Sequence, residues 1–314
     1  MLWGAGPGDT TTGVGRLQSR AVPEAPDLAV LAGAAHAALV GRRVRQIDIT
    51  QPLVMRATPT DLQGLEGQRL DGVARRGKFL DFRFDVDRVV INPMLTGRLG
   101  VGADPLTGRR RGGSKPAATV TFGARESPVP SPEEWTVGAA WVPTDDEPAM
   151  LRYFDPTRMG KVYALPSGVP RAVAGWDEQG PDADDPAFTL AQWRARIRSH
   201  RGELKNVLRN QAFAAGIGNG YSDEILWAAR LAPFRARTSL AGEEIDRLFD
   251  ATREVLSWAT EVLRTRVPPH FEVEVRDFLR VHRKGGQACP RCGSPLTQIA
   301  PGGFVTTYCR ACQR

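Results

Sequence analysis

Two Cys-x-x-Cys motifs in the last 26 residues constrain this chain more than any other feature. They hold all four cysteines of the protein: Cys289, Cys292, Cys309 and Cys312. Two residues between cysteines let both thiolates of a pair reach one tetrahedral ion from a tight turn. Two such turns at the ends of a β-hairpin therefore predict a closed, structural zinc site. The alternatives are unrelated buried cysteines, or disulfides in a secreted protein, and the paired spacing without a visible secretion signal favours zinc.

Composition places the chain among ordinary globular proteins. Of its residues, 41% are hydrophobic and 25% are charged. A length of 314 residues is enough for two or three domains. No window approaches 18 uninterrupted apolar residues, so we expect no membrane partner. Residues 1–22 lack an apolar run and are interpreted as a disordered tail. We expect a monomer in the bacterial cytoplasm.

The positive charge is concentrated in two regions. The formal net charge is +7, and residues 188–240 and 264–314 each contain nine basic and three acidic residues. Basic residues confined to two regions indicate a polyanion-binding surface. The alternative is a solvated basic surface without a partner.

The first half predicts a helix followed by strands. Pro26 in a first turn, Asp27 beside it and Gly41 past the end bracket a buried helix that reaches Val40. Residues 101–116 are rich in Gly, Arg and Pro and predict a loop. The segments that predict strands are Arg42–Thr50, Leu70–Arg75, Phe79–Phe84, Arg88–Asn92, Thr119–Phe122, Trp135–Val142, Leu151–Phe154 and Lys161–Ala164.

Beyond a Gly/Pro/Asp-rich linker near residues 175–185 the periodicity becomes helical. Ser239 is the expected cap of the last helix, and Pro268-Pro269 ends it. The domains are therefore expected at 23–178, 179–268 and 269–314. The predicted helices are Leu190–Ser199, Gly202–Ala214, Ser222–Arg230 and Ala241–Arg264.

A glycine-rich turn, Gly216–Tyr221, lies between two of these helices. Such a turn leaves backbone N–H groups uncovered, which suits a phosphate oxygen. The alternative is a plain tight turn. Basic neighbours favour phosphate contact; they are Arg201, Lys205, Arg209, Arg235 and Arg237.

From Pro23 to Arg314, the motifs and their order along the chain resemble those of the formamidopyrimidine-DNA glycosylase / endonuclease VIII family. The likeness rests on five stretches. They are Pro23-Glu24-Ala25-Pro26-Asp27, Arg75-Arg76-Gly77-Lys78, Leu151–Pro156, Leu204-Lys205-Asn206 with Gly216–Tyr221, and Tyr308–Gln313. The resemblance implies an α+β multidomain fold: an N-terminal β-sandwich opened by one helix, a helix-two-turn-helix domain and a zinc finger.

The resemblance also implies a reaction on damaged double-stranded DNA: excision of an oxidised purine or pyrimidine, with cleavage at the abasic site (AP-lyase activity). The nitrogen of Pro23 would attack the sugar C1′ as a free secondary amine, and Glu24 would shuttle protons. Lys78 would hold the phosphate beside the lesion. Lys205 and Asn219 would bind the DNA backbone and keep it kinked.

Several positions depart from the family's pattern. Leu95 stands at the family's intercalating methionine, and leucine can still wedge into a base stack. Thr157-Arg158-Met159 replaces an Arg-Arg-Phe run, so Arg158 is the candidate for contact with the opposite base. In the zinc finger, Phe304 stands where the family has a phosphate-binding arginine. Other cations of the finger are candidate DNA contacts: Arg283, Lys284 and Arg310.

Pro23 lies within the chain, where its nitrogen is an amide and not an amine. Val22 precedes it, and a valine codon can initiate translation, so we expect the native chain to start at Val22 and to expose Pro23 after removal of the initiating residue. One alternative is a catalytically inactive DNA-binding protein on the same scaffold. Another is a zinc-ribbon interaction module of unrelated function.

Overall fold

The computed structural model describes residues 22–103, 115–126 and 141–314. The predicted tail therefore lies outside the described residues, except for Val22. So do residues 104–114 of the predicted loop and residues 135–140 of the predicted strand Trp135–Val142. Among the described helices, none combines the length and apolar character needed to cross a membrane.

Helix α1 (Ala25–Leu39) opens the fold. Glu24 is its N-cap residue, and the Glu24 N–H donates to the Asp27 carboxylate at 2.9 Å. The helix ends before Gly41, whose φ of 83° is a conformation that favours glycine. Most of its alanines are buried, which lets strands approach its backbone closely.

The strands that follow form two sheets. One sheet has the order β1-β7-β8-β6 and the other the order β2-β9-β5-β4-β3. Their bounds are β1 (Arg42–Ile49), β2 (Met55–Arg56), β3 (Leu70–Arg76), β4 (Phe79–Phe84), β5 (Arg88–Asn92), β6 (Arg98–Ala103), β7 (Ala118–Arg125), β8 (Ala149–Phe154) and β9 (Lys161–Leu165). A short helix, α2 (Pro59–Gln63), lies between β2 and β3.

The two sheets share one core, so the predicted β-sandwich is confirmed. Phe122 and Leu99 of one sheet and Phe82 and Ile91 of the other are buried in the same cluster, together with α1. Two predictions on the strands were wrong. Residues 101–103 belong to β6 and not to a loop, and residues 141–142 form a turn and not a strand.

Four further helices form the helical domain: α3 (Leu190–Ser199), α4 (Leu204–Arg209), α5 (Asn219–Ala228) and α6 (Gly242–Arg266). Their apolar faces meet around the buried side chains of Trp193, Phe213 and Tyr221. The end of α6 and the residue that follows it instead pack into the sandwich core, through Leu263 and Val267 respectively.

The helix limits differ from expectation where polar side chains compete for the backbone. Helix α4 ends early because Asn210 accepts from the Ala212 N–H at 3.0 Å, and Gln211 accepts from the Gly216 N–H at 2.9 Å. Ser239 does not cap α6. Its hydroxyl donates to the Ala236 carbonyl in a 3₁₀ turn.

The chain closes with a small hairpin of β10 (Thr297–Ile299) and β11 (Thr306–Tyr308), paired antiparallel. The four cysteines lie at its base. Trp227 of α5 is buried against Cys289 and Cys309, so the hairpin packs on the helical domain. We call residues 289–314 the cysteine finger.

Candidate active site and nucleic-acid interface

The site is organised around the Glu24 carboxylate at the N-terminus of α5. Glu24 is 2% exposed. Its oxygens accept from the N–H groups of Gly218 at 2.5 Å, Gly220 at 2.8 Å and Tyr221 at 3.3 Å. The positive end of the helix dipole adds to this stabilisation of the negative charge. A carboxylate so placed joins the β-sandwich domain to the helical domain.

This arrangement corrects the prediction made for the glycine-rich turn. Its N–H groups face Glu24 and not a phosphate. Gly218 has no room for a side chain, because a Cβ there would lie 2.4 Å from the Glu24 carboxyl carbon. Sequence reasoning missed the pairing because the two partners are 194 residues apart.

Pro23 lies beside the contact between Glu24 and the glycine-rich turn. It is buried and directly precedes Glu24, and the next residue, Ala25, donates its N–H to the Gly216 carbonyl at 3.0 Å. The stretch 23–25 therefore runs along the stretch 216–218. Pro23 therefore directly precedes a residue whose carboxylate is held at the start of α5.

Lys78 lies in the two-residue turn between β3 and β4. The turn is held by Asp182, which accepts from the Gly77 N–H at 2.6 Å. Within the described residues the Lys78 ammonium has no hydrogen bond or ion pair. Burial lowers the pKa of Lys78, the negative charge of Glu24 opposes that shift, and the positive charge of Arg209 adds to it. Lys78 is thus an unpaired cation close to Glu24.

Asn219 begins α5 and contacts the cysteine finger. Its amide nitrogen donates to the Val305 carbonyl at 2.8 Å. Its amide oxygen is buried and has no hydrogen-bond partner in the described part of the chain. The structure therefore places Asn219 between Glu24 and the finger.

The structure does not support the predicted phosphate contact of Lys205. Lys205 is 3% exposed. All three of its N–H groups are engaged: with the Asp223 carboxylate at 2.6 Å, the Val305 carbonyl at 2.8 Å and the Thr306 hydroxyl at 2.9 Å. Burial lowers its pKa, and the Asp223 charge opposes the shift. Lys205 ties α4 to α5 and the finger instead.

Leu95 and Arg158 lie on two loops that are both bound to Asp155. Buried Asp155 accepts from the Thr96 hydroxyl at 2.5 Å and from the Gly160 N–H at 2.6 Å. Leu95 is 37% exposed beside Thr96, and Arg158 is exposed with a φ of 58°. A single carboxylate thus holds an exposed apolar side chain and an exposed cation on neighbouring loops.

The four cysteine sulfurs form a metal-binding geometry. All four Sγ atoms lie within 4.8 Å of one another. The Cys292–Cys309 and Cys289–Cys312 Sγ distances are 3.5 Å and 4.0 Å. Sulfurs around one tetrahedral ion with bonds of about 2.3 Å lie about 3.8 Å apart. The finger can therefore hold one metal ion.

Two acidic residues of α5 hold the finger and the segment before it, and sequence reasoning missed both. Glu224 is 1% exposed and accepts from three successive N–H groups, those of Arg280, Val281 and His282, at 2.8–2.9 Å. Asp223 accepts from the Thr307 N–H at 3.0 Å. Adjacent carboxylates in an otherwise apolar helix were the available signal.

The remaining predicted contacts are on or beside the finger. Arg283 and Arg310 are exposed, and Lys284 is partly exposed with its ammonium donating to the Asp277 carbonyl at 3.3 Å. Their positions are compatible with DNA contact, which stays a prediction.

These features define a class: a β-sandwich joined to a helix-two-turn-helix domain and a four-cysteine finger. Two family models match the chain. The formamidopyrimidine-DNA glycosylase N-terminal domain matches residues 22–162, and the formamidopyrimidine-DNA glycosylase H2TH domain matches residues 179–267. The chain belongs to the formamidopyrimidine-DNA glycosylase family, which confirms the resemblance and the fold class predicted from sequence.

Individual relatives agree with this assignment. A formamidopyrimidine-DNA glycosylase of Thermomicrobium roseum is 31% identical over 306 residues, covering 93% of this chain and 99% of the relative. That of Symbiobacterium thermophilum is 31% identical over 299 residues, covering 93% of this chain and 89% of the relative.

Solved structures show the same fold. The MutM (Fpg) protein of Thermus thermophilus superposes with a TM-score of 0.71 at 28% identity, covering 93% of this chain and 98% of that one. The Lactococcus lactis Fpg, solved with DNA containing an abasic site, gives a TM-score of 0.74 at 23% identity. The match covers 93% of this chain and 99% of that one.

The contact between Gly218 and Glu24 predicts the effect of one methyl group. Gly218→Ala should lower the free energy of unfolding by about 1–3 kcal/mol, because the new Cβ displaces the carboxylate. Gly242→Ala is the matched control, since a Cβ there meets nothing within 4 Å. That variant should be neutral or stabilised by about 0.5 kcal/mol in urea denaturation. Equal stabilities for the two variants would contradict the packing described for Gly218.

Proposed function

We propose that this chain is a DNA glycosylase that excises a damaged base, of the oxidised purine or pyrimidine class, from double-stranded DNA and then cleaves the strand as an AP lyase. The observation that carries the proposal is the anchored Pro23-Glu24 pair beside the unpaired cation of Lys78. The names of the relatives, which are glycosylases, support the same activity. Its setting would be the DNA of a bacterial cell, with the protein acting as a monomer.

The nucleophile in this proposal is the nitrogen of Pro23. A secondary amine forms a bond to the sugar C1′, and the glycosidic bond breaks with its electron pair leaving on the base. The nitrogen then loses its proton, and the C1′–O4′ bond breaks as O4′ takes up a proton. The iminium ion formed in this way acidifies the neighbouring C2′–H. Loss of that proton expels the 3′ phosphate by β-elimination. The amine must be free, so the proposal requires a chain that begins at Pro23, and the family model begins to match at residue 22.

Glu24 would move the protons that this sequence requires. A carboxylate has about four lone-pair positions, and three N–H groups occupy three of them here. One position remains to accept or return a proton at the sugar oxygen or the departing base. The three N–H groups also prevent the side chain from turning away.

DNA would be bound by Lys78 and by the two loops that Asp155 holds. Lys78 would contact the phosphate beside the lesion, because its ammonium has no partner in the described protein. Leu95 would enter the stack where the damaged nucleotide has swung out, and Arg158 would face the opposite base. Asp155 fixes both loops for this purpose.

We propose that the ion of the cysteine finger is zinc. Four thiolates in a closed tetrahedral arrangement are the donor set that structural zinc prefers. The ion would hold the hairpin in shape and take no part in the reaction.

The zinc proposal has a simple test. The purified protein should contain about one zinc per chain by mass spectrometry. Cys309→Ser, at a buried ligand, should lose most of the metal, whereas Arg310→Met, at the exposed neighbouring position, should keep it. A folded, metal-free protein would contradict the assignment.

The nucleophile is tested by trapping with borohydride. A chain produced to begin at Pro23 should give a covalent adduct with duplex DNA containing an abasic site, because borohydride reduces the iminium ion. Acetylation of the terminal amine, or retention of residues 1–22, should abolish the adduct. Absence of an adduct, with binding to the same DNA intact, would favour the inactive DNA-binding protein.

The pKa of Lys78 predicts a pH dependence. Because that pKa is lowered, Lys78 loses its positive charge at a lower pH than an ordinary lysine. Affinity for a duplex with a non-cleavable abasic analogue should therefore fall as pH rises from about 7 to about 9.5, by several-fold more in the native sequence than in Lys78→Arg, whose charge persists. Parallel pH profiles for the two proteins would show that Lys78 does not contact the phosphate.

A further inference from the structure

Arg209, the last residue of α4, lies over an aromatic ring of the cysteine finger. Its guanidinium carbon is 3.9 Å from the centre of the Phe304 ring. Phe304 follows the short 3₁₀ turn Pro301–Gly303 at the tip of the hairpin and is 51% exposed. A ring left so exposed is not part of the buried core, and the Arg209 cation covers one of its faces.

The Arg209 guanidinium has no ion pair and donates no hydrogen bond among the described residues. Four other arginines of the helical domain are paired: Arg194 with Asp246, Arg196 with the Phe213 carbonyl, Arg235 with Glu244 and Arg237 with the His200 carbonyl. A guanidinium has five N–H donors, and stacking on a ring uses only its face.

Arg209 is also close to the reaction site. Its charge contributes to the lowered pKa of Lys78, and the charge of Glu24 acts in turn on Arg209. The finger tip that carries Phe304 is tied to the start of α5, because Asn219 donates to the adjacent Val305 carbonyl. Two cations without hydrogen-bond or ion-pair partners in the described structure, Lys78 and Arg209, therefore lie within electrostatic range of each other and of the anchored carboxylate.

We propose that Arg209 binds a phosphate of the DNA strand next to the damaged nucleotide, and that Phe304 is the residue that positions it. The planar fork of a guanidinium matches two phosphate oxygens, and a ring against one face fixes the direction in which the fork points. The cation thus comes from α4, and the finger contributes the aromatic surface on which it rests. This inference rests on the proposed function, since the phosphate belongs to the DNA substrate.

The test measures binding to a duplex with a tetrahydrofuran abasic analogue over a range of salt concentrations. Arg209→Met should weaken binding by about 10-fold or more and should reduce the slope of log K against log [salt] by about 1. Arg194→Met is the matched control in the same domain, and its slope should equal that of the native protein because Asp246 already neutralises Arg194.

Phe304→Leu separates positioning from direct contact. It should weaken binding several-fold when Arg209 is present and have no effect in the Arg209→Met background. A loss of affinity in Arg209→Met with an unchanged salt slope would overturn the proposal, because it indicates a merely structural role. The proposal would also be overturned if Phe304→Leu weakened binding as much in the Arg209→Met background as it does in the native protein. If the native protein binds no DNA at all, the proposed function itself fails.

Discussion

The contact between the Glu24 carboxylate and the first N–H groups of α5 is the interaction on which the rest of the site depends. A carboxylate that is 2% exposed is destabilising by several kcal/mol unless hydrogen bonds replace the lost water. The N-terminus of a helix supplies such donors, already aligned. The β-sandwich brings Glu24 and the helical domain brings the donors, so neither domain satisfies its buried polar groups without the other.

Helix α5 also connects the Glu24 site to the finger. Its first turn binds Glu24 and its second turn presents Asp223 and Glu224, both 1% exposed. Their partners are backbone N–H groups of the finger and of the segment before it, together with Lys205 and the His282 ring. One ten-residue helix thus fixes the spacing between the candidate nucleophile and the finger tip.

The sequence was sufficient where a local pattern determines the outcome. Alternation predicted the sandwich strands, the period of apolar residues predicted α3 to the residue, and cysteine spacing predicted the metal geometry. These signals are local because strand faces, helix faces and tight turns are each set within a few residues.

The sequence was insufficient where burial depends on distant partners. Lys205 has the sequence context of a surface cation, yet its partners lie 18 to 101 residues away. The glycine-rich turn offers N–H groups to any anion, and only the fold shows that the anion is Glu24. The same holds for Arg209, whose neighbour on the finger, Phe304, has no recognisable relation to it along the chain.

The central claim is that an anchored Glu24 carboxylate carries the protons of base excision next to the amine of Pro23. The most direct measurement is the single-turnover rate of base excision by Glu24→Gln in a chain beginning at Pro23. The amide oxygen can still accept from the N–H groups of Gly218 and Tyr221, but the amide nitrogen is a donor and cannot accept from Gly220, and the side chain can no longer exchange a proton. This claim predicts a rate lower by about 10²–10⁴-fold, with a lower melting temperature because one buried hydrogen bond is lost, and with DNA affinity close to that of the native protein. Excision at the native rate would contradict it.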